Sequence, residues 1–479
     1  MRERDPARQT RGRPPNAAPA GAALWTTPLD RASPVPLSRQ LTAALRAALG
    51  EGRIEAGARL PSTRILAAEL GLARSTVVGV FEQLTAEGYI VGRPGSGCFA
   101  AVPLAGTAAA PDRAAPGAPR PLSQRGERLR GHAPHWHGGA RPFELGCAEI
   151  DPGFVATWKR LAARVLSGRS GLAWNYGDPQ GEPALRRAIA DYLAAARGVR
   201  CGPDDIVLTS GTQQGLSLAA QILLDPGDAA WVEDPCYRSA VDILRAADVA
   251  ILPVPVDAHG LDVAAGERRH LAPPRLVYTT PSRQYPLGMA MPLARRAALL
   301  GWAAEHGSWI VEDDYESEFQ SPGRMLPSLQ GLDRAGRVVY LGTFSKLLFP
   351  SLRLGYAVLP HDLVAPFAAA RHLADRQSSG LIQAIMTEFM LGGHFARHLK
   401  RTRARYAERH AWLAALLARR LGDVVEIHPA ESGMYLTAWL PESWSDRAAA
   451  AALLAAGVAA VPLSALTLET ARRPALILG

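Results

Sequence analysis

The chain has 479 residues, 48% hydrophobic and 20% charged, a composition that excludes a wholly disordered or fibrous protein and leaves room for two or three domains with sizeable cores. No apolar run of about 18 residues is present, so no membrane-spanning helix is expected, and the first 25 residues lack the apolar core of an export signal. The formal charge is +9, and residues 1–100 hold 13 arginines against 8 acids, an excess that points to a polyanionic partner.

Residues 1–35 are rich in Arg, Pro and Ala and are expected to form a disordered basic tail. Within it Arg11–Pro15 reads RGRPP, which resembles an AT-hook core able to lie in a narrow A·T minor groove. An ordinary solvated tail is the plainer reading of so short a stretch. Cys98, Cys147, Cys201 and Cys236 are scattered without CxxC spacing, which argues against a disulfide framework or a metal site and for a reducing, cytoplasmic compartment.

Residues 36–102 read as a compact unit. In LPSTRILAAELGLARSTVVGVFEQLTAEGYIVGRPGSGCFA, Ser62 is placed to cap a short helix ending near Gly71, and Ser75 to cap a second. Val77, Val80, Phe81 and Leu84 share one face of that second helix. Gly79 in its middle costs about 1 kcal/mol against alanine, and loosens the helix or lets a backbone approach. Two short strands around Pro94–Gly97 complete a hairpin. This segment resembles a GntR-type winged helix-turn-helix. The resemblance implies that Arg64, Arg74, Ser75 and Thr76 meet double-stranded operator DNA, with Gly95, Ser96 and Gly97 of the wing near its backbone. A helix N-terminus that offers hydroxyls and N–H groups to phosphates, and an arginine to base edges, suits that task.

Residues 103–142, dense in Pro, Ala, Gly and Arg, read as a linker. From residue 143 to 479, helical patterns alternate with short apolar runs such as DIVLTSG, PRLVYTTP, SWIVEDD and RVVYLGTFS. The expected fold is α/β, a mostly parallel sheet flanked by helices, with a small C-terminal α+β subdomain.

Of 53 basic residues only three are lysines, Lys159, Lys346 and Lys400. Lys159 and Lys400 sit at polar positions of helical stretches. Lys346 follows a strand in GTFSKLLFPSLRLGY. A lysine, unlike an arginine, can lose its proton and form a Schiff base with an aldehyde, most commonly that of pyridoxal phosphate. The chain offers the other groups such a cofactor needs. Thr343, Ser345 and Arg353, with the turn SGTQQ at Ser210–Gln214, can hold a phosphate. Asp313 is preferred as partner of the pyridine nitrogen, with Glu312 and Asp314 as competitors. Tyr315 can donate to the ring O3′, and Tyr237 can stack on the ring.

From about Phe143 onward the chain resembles a fold type I, class I/II aminotransferase domain. NYGDPQGEPALRRAIADYLAAARG (Asn175–Gly198), TTPSRQYPLG (Thr279–Gly288), EDDY and GTFSK carry the resemblance. It implies that Lys346 forms the internal aldimine and acts as the catalytic residue, that Asp313 pairs with the pyridine nitrogen, and that Tyr315 donates to O3′ while Tyr237 stacks. Ser345, Arg353, Gly211, Thr212 and Gln213 would hold the phosphate. Gln284 would lie near O3′, and Tyr176 would reach the phosphate of a partner subunit. Arg472 and Arg473 are the positions closest to where the family keeps its substrate-carboxylate arginine. The family usually continues beyond the position of Gly479 with a loop and a final helix, so either a truncated chain or an incomplete C-terminal subdomain is expected.

A GntR-type module joined to an aminotransferase-like domain is identified as the architecture of the MocR/GabR regulators. That resemblance implies a head-to-tail homodimer, pyridoxal phosphate as ligand, an amine or amino acid (or the cofactor itself) as effector, and transcription control as the task. An active aminotransferase with an accessory DNA-binding module is the alternative. The serine-arginine-glutamine run at Ser282–Gln284, where true aminotransferases carry asparagine, favours the regulator.

Overall fold

The computed structural model describes residues 29–101, 120–130, 141–168, 174–320, 326–427 and 433–479. The RGRPP stretch and most of the 103–142 linker lie outside the described residues. The chain divides into two compact units, residues 1–121 and 122–479.

In the first unit, α1 (Leu37–Gly50), α2 (Thr63–Leu70) and α3 (Arg74–Ala86) precede a two-stranded antiparallel hairpin, β1 (Ile90–Arg93) and β2 (Gly97–Ala100). Leu41, Leu45 and Leu49 recur every four residues along α1 and bury their side chains with Leu66 of α2 and Val77, Val80, Phe81 and Leu84 of α3. Ser62 caps α2 by accepting from the Ile65 N–H at 3.3 Å, and Gly71 ends it in the left-handed region at φ 58. The second capping expectation is corrected. The residue before α3 is Ala73, which offers no side-chain cap, and Ser75 lies inside the first turn with its side chain exposed. A Cβ on Gly79 would meet nothing within 4 Å among the described residues, so close packing does not account for that glycine.

The second unit is built on an eight-stranded sheet. Its strands are β3 (Ile206–Thr209), β4 (Ala229–Asp234), β5 (Ala250–Asp257), β6 (Gly260–Leu261), β7 (Leu276–Thr279), β8 (Trp309–Asp314), β9 (Val338–Thr343) and β10 (Gly355–Val358). They lie in the order β3-β10-β9-β8-β7-β4-β5-β6. The run β9-β8-β7-β4-β5 is parallel, while β10 is antiparallel to both its neighbours. Strands β3, β7 and β9 are buried throughout, which is why they read as continuous apolar runs. Residues of period two face two cores. Val207, Val232, Tyr278, Val311 and Val339 pack against helices Thr212–Leu223, Arg238–Ala246 and His361–Asp375. Ile206, Leu208, Tyr340 and Tyr356 pack against helices Pro152–Ser167, Pro183–Arg197 and Gly380–Leu391.

A smaller antiparallel sheet follows, β11 (Glu426–Ile427), β12 (Leu436–Trp439), β13 (Val461–Pro462) and β14 (Ala475–Leu478), in the order β11-β12-β14-β13, accompanied by helices His394–Leu421 and Asp446–Ala455. The expected α/β architecture with a C-terminal α+β part is thus present. The linker expectation needs one amendment: Gln124–Arg130 is a helix, opened by Ser123, whose hydroxyl accepts from the Gly126 N–H, and carrying a Glu127–Arg130 ion pair of 3.0 Å. Among the described residues no helix is long and apolar enough to cross a membrane.

Candidate functional site

Turns leaving β3, β4, β7, β8 and β9 converge on a cavity of about 360 Å³. Ligands of open α/β sheets commonly bind where the carboxyl ends of strands meet in this way. Lys346, in the turn after β9, lines it, with its Nζ so close to Gly146 that a Cβ there would lie 2.8 Å away. Lys159 and Lys400 are exposed on helices elsewhere. Burial lowers the Lys346 pKa, opposed by the negative groups around it, Glu316 foremost. The amine is thereby biased toward its neutral, nucleophilic form.

Strand geometry separates the three consecutive acids of β8. Glu312 accepts from the Leu329 and Gln330 backbone N–H groups, both at 2.9 Å. Asp314 accepts from Arg197 Nε at 2.9 Å and from the Ser317 hydroxyl, also at 2.9 Å. Both are committed to the fold. Asp313, one step out of phase, points to the cavity. Its Oδ2 accepts from the Tyr278 hydroxyl at 2.7 Å, whereas its buried Oδ1 has no hydrogen-bond partner among the described residues. Burial pushes the Asp313 carboxyl up to about 7, against the pull of the Tyr278 hydrogen bond.

At the other end Gly211 opens the helix Thr212–Leu223 with φ 115, a conformation that suits glycine. The Arg353 guanidinium and the Thr343 hydroxyl lie within 4 Å of the position a Gly211 Cβ would take. Arg353 itself is left-handed at φ 48, held behind the short turn Pro350–Leu352. The Ser345 N–H donates to Thr343 Oγ1 at 3.1 Å, and the buried Ser345 hydroxyl has no hydrogen-bond partner among the described residues. A helix N-terminus, a guanidinium and a free hydroxyl together form an anion cradle. Tyr237 is anchored by Gln213, whose Nε2 donates to its hydroxyl at 3.1 Å. Tyr315 shares a 2.6 Å hydrogen bond with Tyr435. The orphaned Asp313 oxygen, the orphaned Ser345 hydroxyl and the lysine between them fit pyridoxal phosphate, with a carboxylate for its ring nitrogen and a cradle for its phosphate.

Lys346, Asp313, Tyr315, Tyr237, Ser345, Thr343, Arg353, Gly211, Thr212 and Gln213 therefore share one cavity wall. Gln284, Arg472 and Arg473 do not join them, and Tyr176, expected at a partner subunit's phosphate, stands outside this cavity. The Gln284 side chain is turned into the protein, donating to Pro235 O at 2.8 Å and Tyr285 O at 2.7 Å. Tyr176 is 79% exposed, with the Arg376 guanidinium 4.4 Å from its ring centre. Arg472 donates to Asp234 O at 3.2 Å and to Val256 O, and Arg473 to Leu440 O at 2.8 Å with an ion pair to Glu426. Arg472 is thus spent on carbonyls of the large sheet and Arg473 on groups beside the small one, and neither lines the cavity. The sequence reading also missed Tyr278, Tyr285, Glu316, Met434 and Tyr435, all on the wall. Tyr278 and Glu316 sit beside motifs already singled out, whereas Met434 and Tyr435 carry no local signal.

In the first unit Arg64, Arg74, Ser75, Gly95, Ser96 and Gly97 are exposed and Thr76 is half-buried. Arg74–Thr76 form the opening turn of α3, and the wing turns at Gly95 and Gly97 with φ 73 and 103.

Comparison with known proteins matches residues 151–475 to the family described as aminotransferase class I and II, and residues 37–100 to bacterial regulatory proteins of the gntR family. The chain is 39% identical over 462 residues to the probable rhizopine catabolism regulatory protein MocR of Rhizobium meliloti, covering 94% of this chain and 91% of that one. It is 29% identical over 410 residues to the pyridoxine biosynthesis transcriptional regulator PdxR of Corynebacterium glutamicum, covering 85% and 84%. Among solved structures, LysN, an alpha-aminoadipate aminotransferase of Thermus thermophilus complexed with N-(5'-phosphopyridoxyl)-L-leucine, superposes with a TM-score of 0.64 at 29% identity, covering 74% of this chain and 89% of that one.

Proposed function

The chain belongs to the MocR-type transcriptional regulators, a gntR-family helix-turn-helix joined to an aminotransferase class I and II domain, and we propose that its large unit binds pyridoxal phosphate at Lys346 and reports an amine to the DNA-binding unit. The observation that carries this reading is the convergence of Lys346, the unpartnered Asp313 Oδ1 and the Arg353–Ser345 cradle on one cavity.

When bound, the cofactor supplies an aldehyde that condenses with amines and a ring that withdraws electrons. Lys346 presents its amine from a turn fixed by β9, and burial lowers its pKa in the direction that favours a free lone pair. Asp313 offers Oδ1 to a ring N–H, while Tyr278 fixes the orientation of the carboxylate through Oδ2. Arg353, Ser345 and the first turn of helix Thr212–Leu223 hold a phosphate. Tyr237, braced by Gln213, supplies an aromatic face. With the cofactor in place, Lys346 would hold or move a proton beside an incoming amine. A ligand of this kind shifts the regulator only if it binds two states of the protein unequally. The exposed turn Arg74–Thr76 and the wing residues Gly95–Gly97 engage operator DNA, in a homodimer.

Purified protein given the cofactor is expected to show a visible absorption band that Lys346→Ala loses. Binding to promoter DNA should persist in that variant but no longer respond to amines. A colourless protein at saturating cofactor would overturn the reading, and multiple turnovers with an amino acid and 2-oxoglutarate, without any DNA affinity, would favour the enzyme instead.

A further inference from the structure

Away from the phosphate cradle the cavity wall changes character. Leu145, Tyr285, Tyr315, Glu316, Met434 and Tyr435 line it. Among the described residues the basic side chains on the wall are Lys346, the attachment point, and Arg353, the cradle. The group facing the remaining space is an acid. Glu316 is 2% exposed, and its Oε1 accepts from the Met434 N–H. Behind it Arg283, 4% exposed, sits 3.1 Å from Glu316 Oε2 and 4.6 Å from the centre of the Tyr435 ring, and donates to the Tyr435 carbonyl at 3.3 Å. The guanidinium is packed under Gly433, where it leaves no room for a Cβ, and lies 3.3 Å from where a Cβ on Gly288 would sit. Burial pushes the Glu316 carboxyl up, and Arg283 opposes this. The arginine that could receive an incoming carboxylate is therefore already matched by a carboxylate of the chain itself, and that carboxylate stands on the cavity side.

We propose, resting on the cofactor-binding reading above, that this pocket selects amines that carry no carboxylate, with Glu316 rejecting amino acids and Arg283 holding Glu316 in place. A ligand carboxylate entering here would meet a like charge at close range. To reach Arg283 it would have to break a buried ion pair and leave Glu316 without its partner. An amine bearing hydroxyls, a second ammonium or an aromatic group meets instead an acceptor oxygen, tyrosine hydroxyls and apolar surface. Specificity here comes from a repulsive element as much as from attraction.

The experiment uses the full-length protein, loaded with cofactor and freed of excess, titrated with matched pairs that differ by one carboxylate: putrescine and ornithine, ethanolamine and serine, tyramine and tyrosine. The change in the absorption band and the change in operator affinity are both recorded. The expected result is that the amine of each pair half-saturates at about one tenth or less of the concentration its amino acid needs. Glu316→Gln, which keeps shape and hydrogen bonding but removes the charge, should narrow that gap several-fold while the cofactor band remains. Amino acids that match or outperform their amines, in a protein that does take the cofactor, overturn this inference alone. A protein that takes no cofactor overturns the parent reading and this inference with it.

Discussion

Burial raises the Asp313 carboxyl from its ordinary 3.8 to about 7, and Asp314 adds to this while the Tyr278 hydroxyl pulls back. The sign of the consequence follows from proton counting. Between about pH 4 and 7 the folded chain keeps a proton that the unfolded chain has released, so stability from this group falls as pH rises through that window and levels off above it. Asp313→Asn is therefore expected to stabilise cofactor-free protein at pH 8, by up to about 4 kcal/mol from a shift of that size, and by less at pH 5. Thermal melts at the two pH values check this, and a variant less stable than the parent at pH 8 would show that the ionised carboxylate is well satisfied. The same variant should lose cofactor affinity, because its amide cannot balance a protonated ring. At this scale the sequence was legible where chemistry restricts residue type. A lysine in a chain that otherwise uses arginine stood out, whereas the acids of β8 left Asp313 preferred over Glu312 and Asp314 until their partners were seen. It was illegible where a side chain's direction depends on tertiary partners. Nothing near Gln284 announces that Pro235 and Tyr285 will take its amide, and nothing near Arg472 announces the carbonyls of Asp234 and Val256.

The recognition element α3 depends on its apolar face. Leu84 is wholly buried among Leu45, Leu66 and Val77. Leu84→Ala is expected to cost 2–5 kcal/mol, roughly the range for large-to-small changes at buried positions. Calorimetry should show this as a lowered transition of the first unit, with DNA binding lost on warming while the cofactor band persists. Element types were readable because their periods differ. The shared face of Val77, Val80, Phe81 and Leu84 in α3 and the solid apolar runs of β3, β7 and β9 left little choice. Boundaries were harder. A serine at position 75 looked like a cap, yet the chain enters the helix two residues earlier, from Ala73, without a side-chain hydrogen bond. Gln124–Arg130 was hidden by its Pro- and Gly-rich surroundings.

Two compact units with separate cores imply separable activities. Arg74→Ala, at the exposed start of α3, is expected to weaken operator binding and reduce the slope of log affinity against log salt by about one, while cofactor absorbance and its response to amines stay unchanged. A matching loss of absorbance would mean that the substitution unfolds more than its own unit. The position of β10 has a further consequence. This strand lies between β3 and β9, so β3 and the Gly211 loop that follows it have their sheet neighbour supplied by a segment encoded far downstream. Met434 and Tyr435 of the wall come later still. Pairings that distant in sequence form slowly. While the chain is still on the ribosome, its DNA-binding unit has everything it needs to fold, whereas the vitamin pocket must await nearly the whole message. A newly made copy would thus pass through an interval in which it can find DNA before it can sense anything.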